Sequence, residues 1–190
     1  QHKQDYPQKT PECRYVGACG GCSLQELSYA DQLSIKKAWV LSQFRAAGFD
    51  VDVPIVGLED PWRYRNKVEF SLGHEDAELV LGFHAARSFH RAVSVDDCLL
   101  LPETMIQIAQ HVLNAARSTG QLAFHQRRNE GIFRHLLLRA SHTTGELVAC
   151  LVTTSAGKDH VYGMQQKLRQ TFPQLKAFLW CCNDAANSCF

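Results

Sequence analysis

Apolar and polar residues follow two different periods along this chain, and the changes of period mark its elements. From Ser28 to Gly48 the spacing is helical. Leu33, Ala38, Val40, Leu41 and Phe44 recur every few residues, and Lys36, Lys37, Gln43 and Arg45 supply the polar side. Ser28 is placed to cap this helix and Gly48 to stop it. A connection with Pro54, Gly57 and Pro61 follows. The period then drops to two: residues 67–72 and 79–84 read as a hairpin around the polar stretch 74–78, and residues 91–95 as a third, short strand. Pro102 opens a second helix carrying Met105, Ile106, Ile108, Ala109, Val112 and Leu113, which Gly120 ends. Residues 134–140 and 146–153 flank the turn SHTTG and form the clearest hairpin. Residues 158–171 read as a helix and 175–180 as a last strand.

The order is therefore helix, three strands, helix, two strands, helix, strand. Antiparallel hairpins with a few helices predict an α+β fold rather than a doubly wound sheet. The division expected is a small Cys-rich unit with its helix over residues 1–52, then a mostly antiparallel β-sheet with two helices over 53–190. The last ten residues, CCNDAANSCF, lead out of a strand into no further element, so the chain reads as a piece of a longer polypeptide.

Composition narrows the classes. With 45% hydrophobic and 21% charged residues, disorder over most of the length is excluded. No apolar run approaches the ~20 residues that span a bilayer. The opening QHKQDYPQKTPEC has no apolar signal core, so a cytoplasmic location is expected. A formal charge of +1 excludes a chain-wide electrostatic grip on nucleic acid; any such site is a local patch.

Cysteine is the unusual residue, with eight in 190. Cys13, Cys19 and Cys22 form C-x5-C-x2-C, with Gly17, Gly20 and Gly21 between them. In a cytosolic chain such a cluster points to metal or redox chemistry rather than to disulfides. Three thiolates are one short of the usual four, and Cys98, in a loop after Asp96 and Asp97, is the best-placed fourth ligand. Cys150 lies mid-strand in an apolar run and reads as a core thiol. Spacing leaves three readings open: an iron–sulfur cluster, a structural zinc in a nucleic-acid-binding module, and a redox dithiol at Cys19 and Cys22.

Four ordered blocks carry a resemblance. CRYVGACGGCSLQELSYADQLSIKKAWV, with Gln25, Tyr29, Gln32 and Lys36 in place, resembles the cluster segment of the S-adenosylmethionine-dependent RNA uracil-C5 methyltransferases, which make 5-methyluridine in rRNA and tRNA. YRNKVEFSLG (64–73), LGFHAARSFHRAVSVDDCLL (81–100) and the stretch 131–154 with RHLLLR and TGELVACLVT resemble the same family. The resemblance covers about residues 11–188. It implies a [4Fe–4S] cluster on Cys13, Cys19, Cys22 and Cys98, which would cross-link the first unit to the second. It also implies an RNA partner, rRNA or tRNA, bound without a membrane. In the family, S-adenosylmethionine and the catalytic groups belong to a C-terminal domain that is absent here, so this chain alone is expected to be inactive. A monomer is the expected state.

The groups placed to meet RNA are local. Arg63, Arg65, Asn66 and Lys67 precede and open the first strand; His84, Arg87, His90 and Arg91 lie around the next connection; Arg127, Arg128, Arg134, His135 and Arg139 lie on and before the long hairpin. Arg65, Asn66, Lys67, Arg87, Arg91, Arg134 and His135 form the candidate RNA-binding set. Arginine suits bidentate phosphate contacts, and Phe89 or Phe133 would stack on unpaired bases. His135 and Arg139 should share one strand face. Trp39, Trp62 and Trp180 read as packing groups, and Glu69 and Glu78 as members of cross-strand pairs with basic residues.

Overall fold

The fold comes from a computed structural model, which describes residues 3–88 and 91–186. The chain forms two compact units, Gln1–Pro61 and Trp62–Phe190. Their boundary lies beyond the expected 52/53 because the connection folds back on the first helix, α1 (Tyr29–Ala46). The Tyr29 hydroxyl accepts the Leu58 N–H at 2.8 Å, and Lys37 pairs with Asp52 at 2.8 Å.

Ser28 caps α1 as expected: its Oγ accepts the Asp31 N–H at 3.1 Å and donates to the Asp31 carboxylate at 2.7 Å. The apolar residues of α1, however, are not a core stripe. None is buried, and Trp39, expected to pack, is 65% exposed. Leu27, just before the cap, is the buried anchor of this unit.

The second unit is one six-stranded sheet in the order β3-β2-β1-β4-β5-β6. Its strands are β1 (Lys67–Glu75), β2 (Glu78–His84), β3 (Ala92–Ser94), β4 (Phe133–Ala140), β5 (Leu147–Thr153) and β6 (Leu175–Cys182). All neighbours are antiparallel except β5 and β6, which are joined by helix α3 (Lys158–Thr171) and run parallel. The fold class is α+β, as expected. Helix α2 (Glu103–Ser118) packs on β2 and β4, and α3 packs on β6 and α2.

Period two sorts the strand residues onto two faces. Val68, Phe70, Leu72, Leu81, Leu136, Leu138, Ala149 and Leu151 point to the helices. They close one core with Met105, Ile108, Val112 and Ala116 of α2 and Val161, Met164 and Leu168 of α3. The register puts Lys67, Glu69, Ser71, His135, Leu137, Arg139 and Cys150 on the other face, so His135 and Arg139 do share it. Cys150 is consequently half-buried on the helix-free face, not a core thiol.

Three local features depart from the pattern. The β1–β2 turn is two residues, Asp76 and Ala77, both at positive φ (48° and 69°), rather than the five-residue loop expected. That conformation matches the strand twist and lets His74 and Glu75 stay in the ladder. Glu78 therefore stands opposite Glu75, not a basic residue. Phe133, proposed from sequence as a stacking group, is fully buried in the core. Beside it β4 is irregular: Phe133 pairs with Thr153 but His135 with Val152, so Arg134 is the bulged residue.

Candidate functional site

The cysteine loop is built from tight turns. Cys19 N–H donates to Tyr15 O at 2.8 Å and Val16 N–H to Cys13 O at 3.2 Å, and Gly17 takes φ +89°, which its missing Cβ permits. Two sulfurs receive hydrogen bonds: Gly21 N–H donates to Cys19 Sγ at 3.3 Å and Gln25 Nε2 to Cys22 Sγ at 3.2 Å. Hydrogen-bond donors aimed at sulfur tune iron–sulfur centres, so the donor chemistry fits the implied cluster. Gln25 Oε1 is buried without a hydrogen-bond partner, which marks this as a polar interior that the loop alone does not satisfy. Among the described residues no three His, Cys, Asp or Glu side chains converge as a ready metal site, and no described cysteine is in a disulfide.

Cys98 sits in the second unit, in the loop before α2, where sequence had put it. Arg63 fixes that loop. Its Nη1 donates to Asp97 Oδ1 at 2.9 Å, Cys98 O at 3.0 Å and Leu101 O at 2.9 Å, and its own N–H donates to Leu99 O at 2.9 Å. The hydrogen bond to Asp97 raises the guanidinium pKa further. Arg63 is thus a structural clamp on the Cys98 backbone. Arg63→Ala is expected to destabilise the chain by about 2 kcal/mol, since bonds from a charged donor to Asp97 and to the Cys98 and Leu101 carbonyls are lost. Cys98 should then be alkylated faster, while Arg63→Lys, which lacks the planar fork, should restore little. Urea midpoints and alkylation rates measure both effects; unchanged alkylation would mean that the loop holds without the clamp.

A cavity of about 370 Å3 opens in the second unit. Its lining includes Ser71, His84, Phe124, Arg127, Arg134 and His135. Ser71 Oγ lies 3.3 Å from His84 Nε2 and 3.5 Å from His135 Nδ1, and Glu69 Oε1 lies 3.6 Å from His135 Nδ1. Burial first, then the positive charge of Arg134 and the neighbouring His84, push the His135 pKa down to about 4. The imidazole is therefore neutral near pH 7, and its approach to Glu69 is not an ion pair there.

Arg134 frames this cavity. Its Nη1 donates to Asn183 O at 2.9 Å and Ala185 O at 2.7 Å, and its guanidinium lies 4.1 Å from the Phe124 ring centre. Burial lowers its pKa, and Asp184 opposes that shift. The wall bearing Phe124 and Arg127 is a short loop, tied by Phe124 N–H to Phe133 O (2.8 Å) and His125 N–H to Glu130 O (2.7 Å). It closes through Gly131 at φ +93°, where a Cβ would come within 2.2 Å of Ala123 O; no other residue fits.

Of the candidate RNA set, the structure brings Arg134 and His135 to this cavity. Asn66 and Lys67 are exposed and Arg65 half-buried at the start of β1; Arg87 and Arg91 are exposed on the β2–β3 connection. None of these five lines the cavity. Phe89 and His90 lie outside the described residues. Ser71 and Phe124 were missed. Ser71 had a signal, since it shares a face with Lys67 and Glu69 in an alternating strand; Phe124 had none.

No family-wide sequence profile matches the chain. Individual proteins do. A Bacillus cereus protein named uncharacterized RNA methyltransferase is 30% identical over 181 residues, 94% of this chain and 39% of that protein. Staphylococcus aureus proteins of the same description are 32% identical over 179 residues, 92% of this chain and 39% of theirs. Among solved structures, the crystal structure of Pyrococcus abyssi tRNA (uracil-54, C5)-methyltransferase in complex with S-adenosyl-L-homocysteine shares the fold. Its TM-score is 0.67 at 20% identity, over 96% of this chain and 39% of that one. The chain aligns over nearly its whole length with one part of these proteins, and it spans about two fifths of the length of the curated relatives it matches. Among the described residues no helix is long and apolar enough to cross a membrane.

Proposed function

We propose that this chain is the iron–sulfur and RNA-recognition portion of an S-adenosylmethionine-dependent RNA uracil-C5 methyltransferase acting on rRNA or tRNA. The observation that carries the proposal is the alignment of nearly the whole chain with only 39% of proteins named RNA methyltransferase. The named activity of the structural neighbour, on uracil-54 of tRNA, supports the uracil-C5 reading. In this proposal S-adenosylmethionine and methyl transfer belong to the rest of the protein, and the chain alone transfers no methyl group. Cys13, Cys19, Cys22 and Cys98 hold the [4Fe–4S] cluster, which supplies four iron–thiolate bonds and thus folding free energy. Gly21 N–H and Gln25 Nε2 orient the sulfurs of Cys19 and Cys22 by donating to them. Arg65, Asn66, Lys67, Arg87 and Arg91 supply local positive and polar contacts to RNA phosphates, which a chain of formal charge +1 cannot supply globally.

Metal content tests the cluster. Anaerobically purified chain is expected to carry about four iron and four acid-labile sulfide, and Cys98→Ala to lose most of both. About one zinc and no sulfide, with Cys98 dispensable, would replace the cluster by the zinc module.

A further inference from the structure

The cavity of the second unit has chemistry that phosphate binding leaves unused. Its floor is Ser71 with His84 and His135, hydroxyl and imidazole groups that can both donate and accept hydrogen bonds. Such a floor reads a polar edge through hydrogen bonds. One wall is the Phe124 ring, held by the Arg134 guanidinium at 4.1 Å. The exposed Arg127 lies beside it in the lining. A planar wall, a hydrogen-bonding floor and a cation are the three features that a single nucleotide matches with its base face, base edge and phosphate. The volume, about 370 Å3, is in the range of small-ligand sites. A base in a duplex has its faces stacked and its Watson–Crick edge paired, so a duplex cannot place a base in the site.

We infer that this cavity receives one unpaired nucleotide of an RNA strand, its base stacked on Phe124 and read by Ser71, His84 and His135, its phosphate met by Arg127. The inference rests on the RNA reading above and adds to it a base-reading subsite for single-stranded RNA. Arg134 is a positioning residue. It holds Phe124 and, through Asn183 O and Ala185 O, the segment after β6. His135 stays uncharged near pH 7 because the sheet buries it and Arg134 and His84 repel its proton.

The test uses the full 190-residue chain and two fluorescently labelled probes, a mixed-sequence single-stranded RNA of ten nucleotides carrying 4-thiouridine and the same sequence fully paired. The single strand should bind tighter than the duplex. Phe124→Leu keeps apolar bulk beside Arg134, so the fold survives, but it removes the planar wall and should weaken single-strand binding about fivefold or more. Ser71→Ala should weaken it about threefold, and Arg127→Ala should lower the salt slope by about 0.7. Photocrosslinks should map to peptides carrying Phe124 or Ser71. If the chain binds single strands but the variants bind equally well and crosslinks map elsewhere, the cavity assignment falls and the RNA reading stands. Duplex bound as tightly as single strand also overturns the cavity assignment. If neither probe binds the wild-type chain, both readings fall together.

Discussion

Phe70→Ala is expected to destabilise the second unit by about 3–5 kcal/mol. Phe70 is fully buried at the centre of β1, the strand that lies between β2 and β4. It stands opposite Leu136 of β4, and its ring stacks on Phe83 of β2 at 5.0 Å between centroids with 29° between planes. Truncation therefore opens a cavity against β2 and β4 in the helix-covered core, where relaxation is limited because backbone ladders fix both neighbours. A domain has about 5–15 kcal/mol of total stability, so a loss of this size leaves the unit marginal. Phe83→Ala should cost less, because Phe83 is only half-buried. Urea unfolding of the two variants measures the difference. A Phe70→Ala loss below about 1 kcal/mol would show that the core is not assembled around β1. Ser71 follows Phe70 and faces the cavity, so loosening β1 should also reduce single-strand RNA binding.

Sequence legibility followed the range of the interactions involved. Helix α2 was readable to its ends because Met105, Ile108, Ala109, Val112 and Ala116 lie on one buried face between Pro102 and Gly120. The β4–β5 hairpin was readable because its apolar residues alternate around a polar turn. The same rule failed in part for α1. Period gave the helix, and local capping gave its start, but burial depends on what a face meets, and Trp39 is exposed. The Asp76–Ala77 turn escaped because neither residue is the Gly or Asn that usually marks positive φ. Grouping Cys13, Cys19, Cys22 and Cys98 as one set is a reading of spacing and resemblance, and it belongs to the proposed function. The cavity was not legible as a unit: its lining comes from β1, β2, the 124–127 loop and β4, and the Arg134 bulge that shapes it leaves no mark in RHLLLRA. Long-range register, not local composition, brings Ser71 to His135.

His135 gives the unit a pH dependence of defined sign and window. Its pKa is about 4 in the fold, against the ordinary 6.5 of a free imidazole. The side chain is only 13% exposed, so solvent screening removes little of this shift. The groups around it are Glu69 and Ser71 on β1, His84 on β2, Arg134 beside it on β4, and the apolar Val152 opposite on β5. Burial, Arg134 and His84 disfavour the imidazolium, and Glu69 does not offset them. Above pH 6.5 the imidazole is neutral in both folded and unfolded chains, and its contribution is fully present. As pH falls below 6.5 the unfolded chain takes up a proton that the fold refuses, so stability drops by up to about 1.4 kcal/mol per pH unit until about pH 4. The integrated loss is about 3 kcal/mol. Below pH 4 both states are protonated there and the dependence ends. His135→Gln keeps a polar side chain of similar reach and removes the titration. The difference in unfolding free energy between wild type and variant should be flat above pH 6.5, change steadily in favour of the variant from 6.5 to 4, and level off below. A difference that stays flat through that window would mean that His135 takes its proton equally in both states, and that the cavity floor is far wetter than its geometry requires.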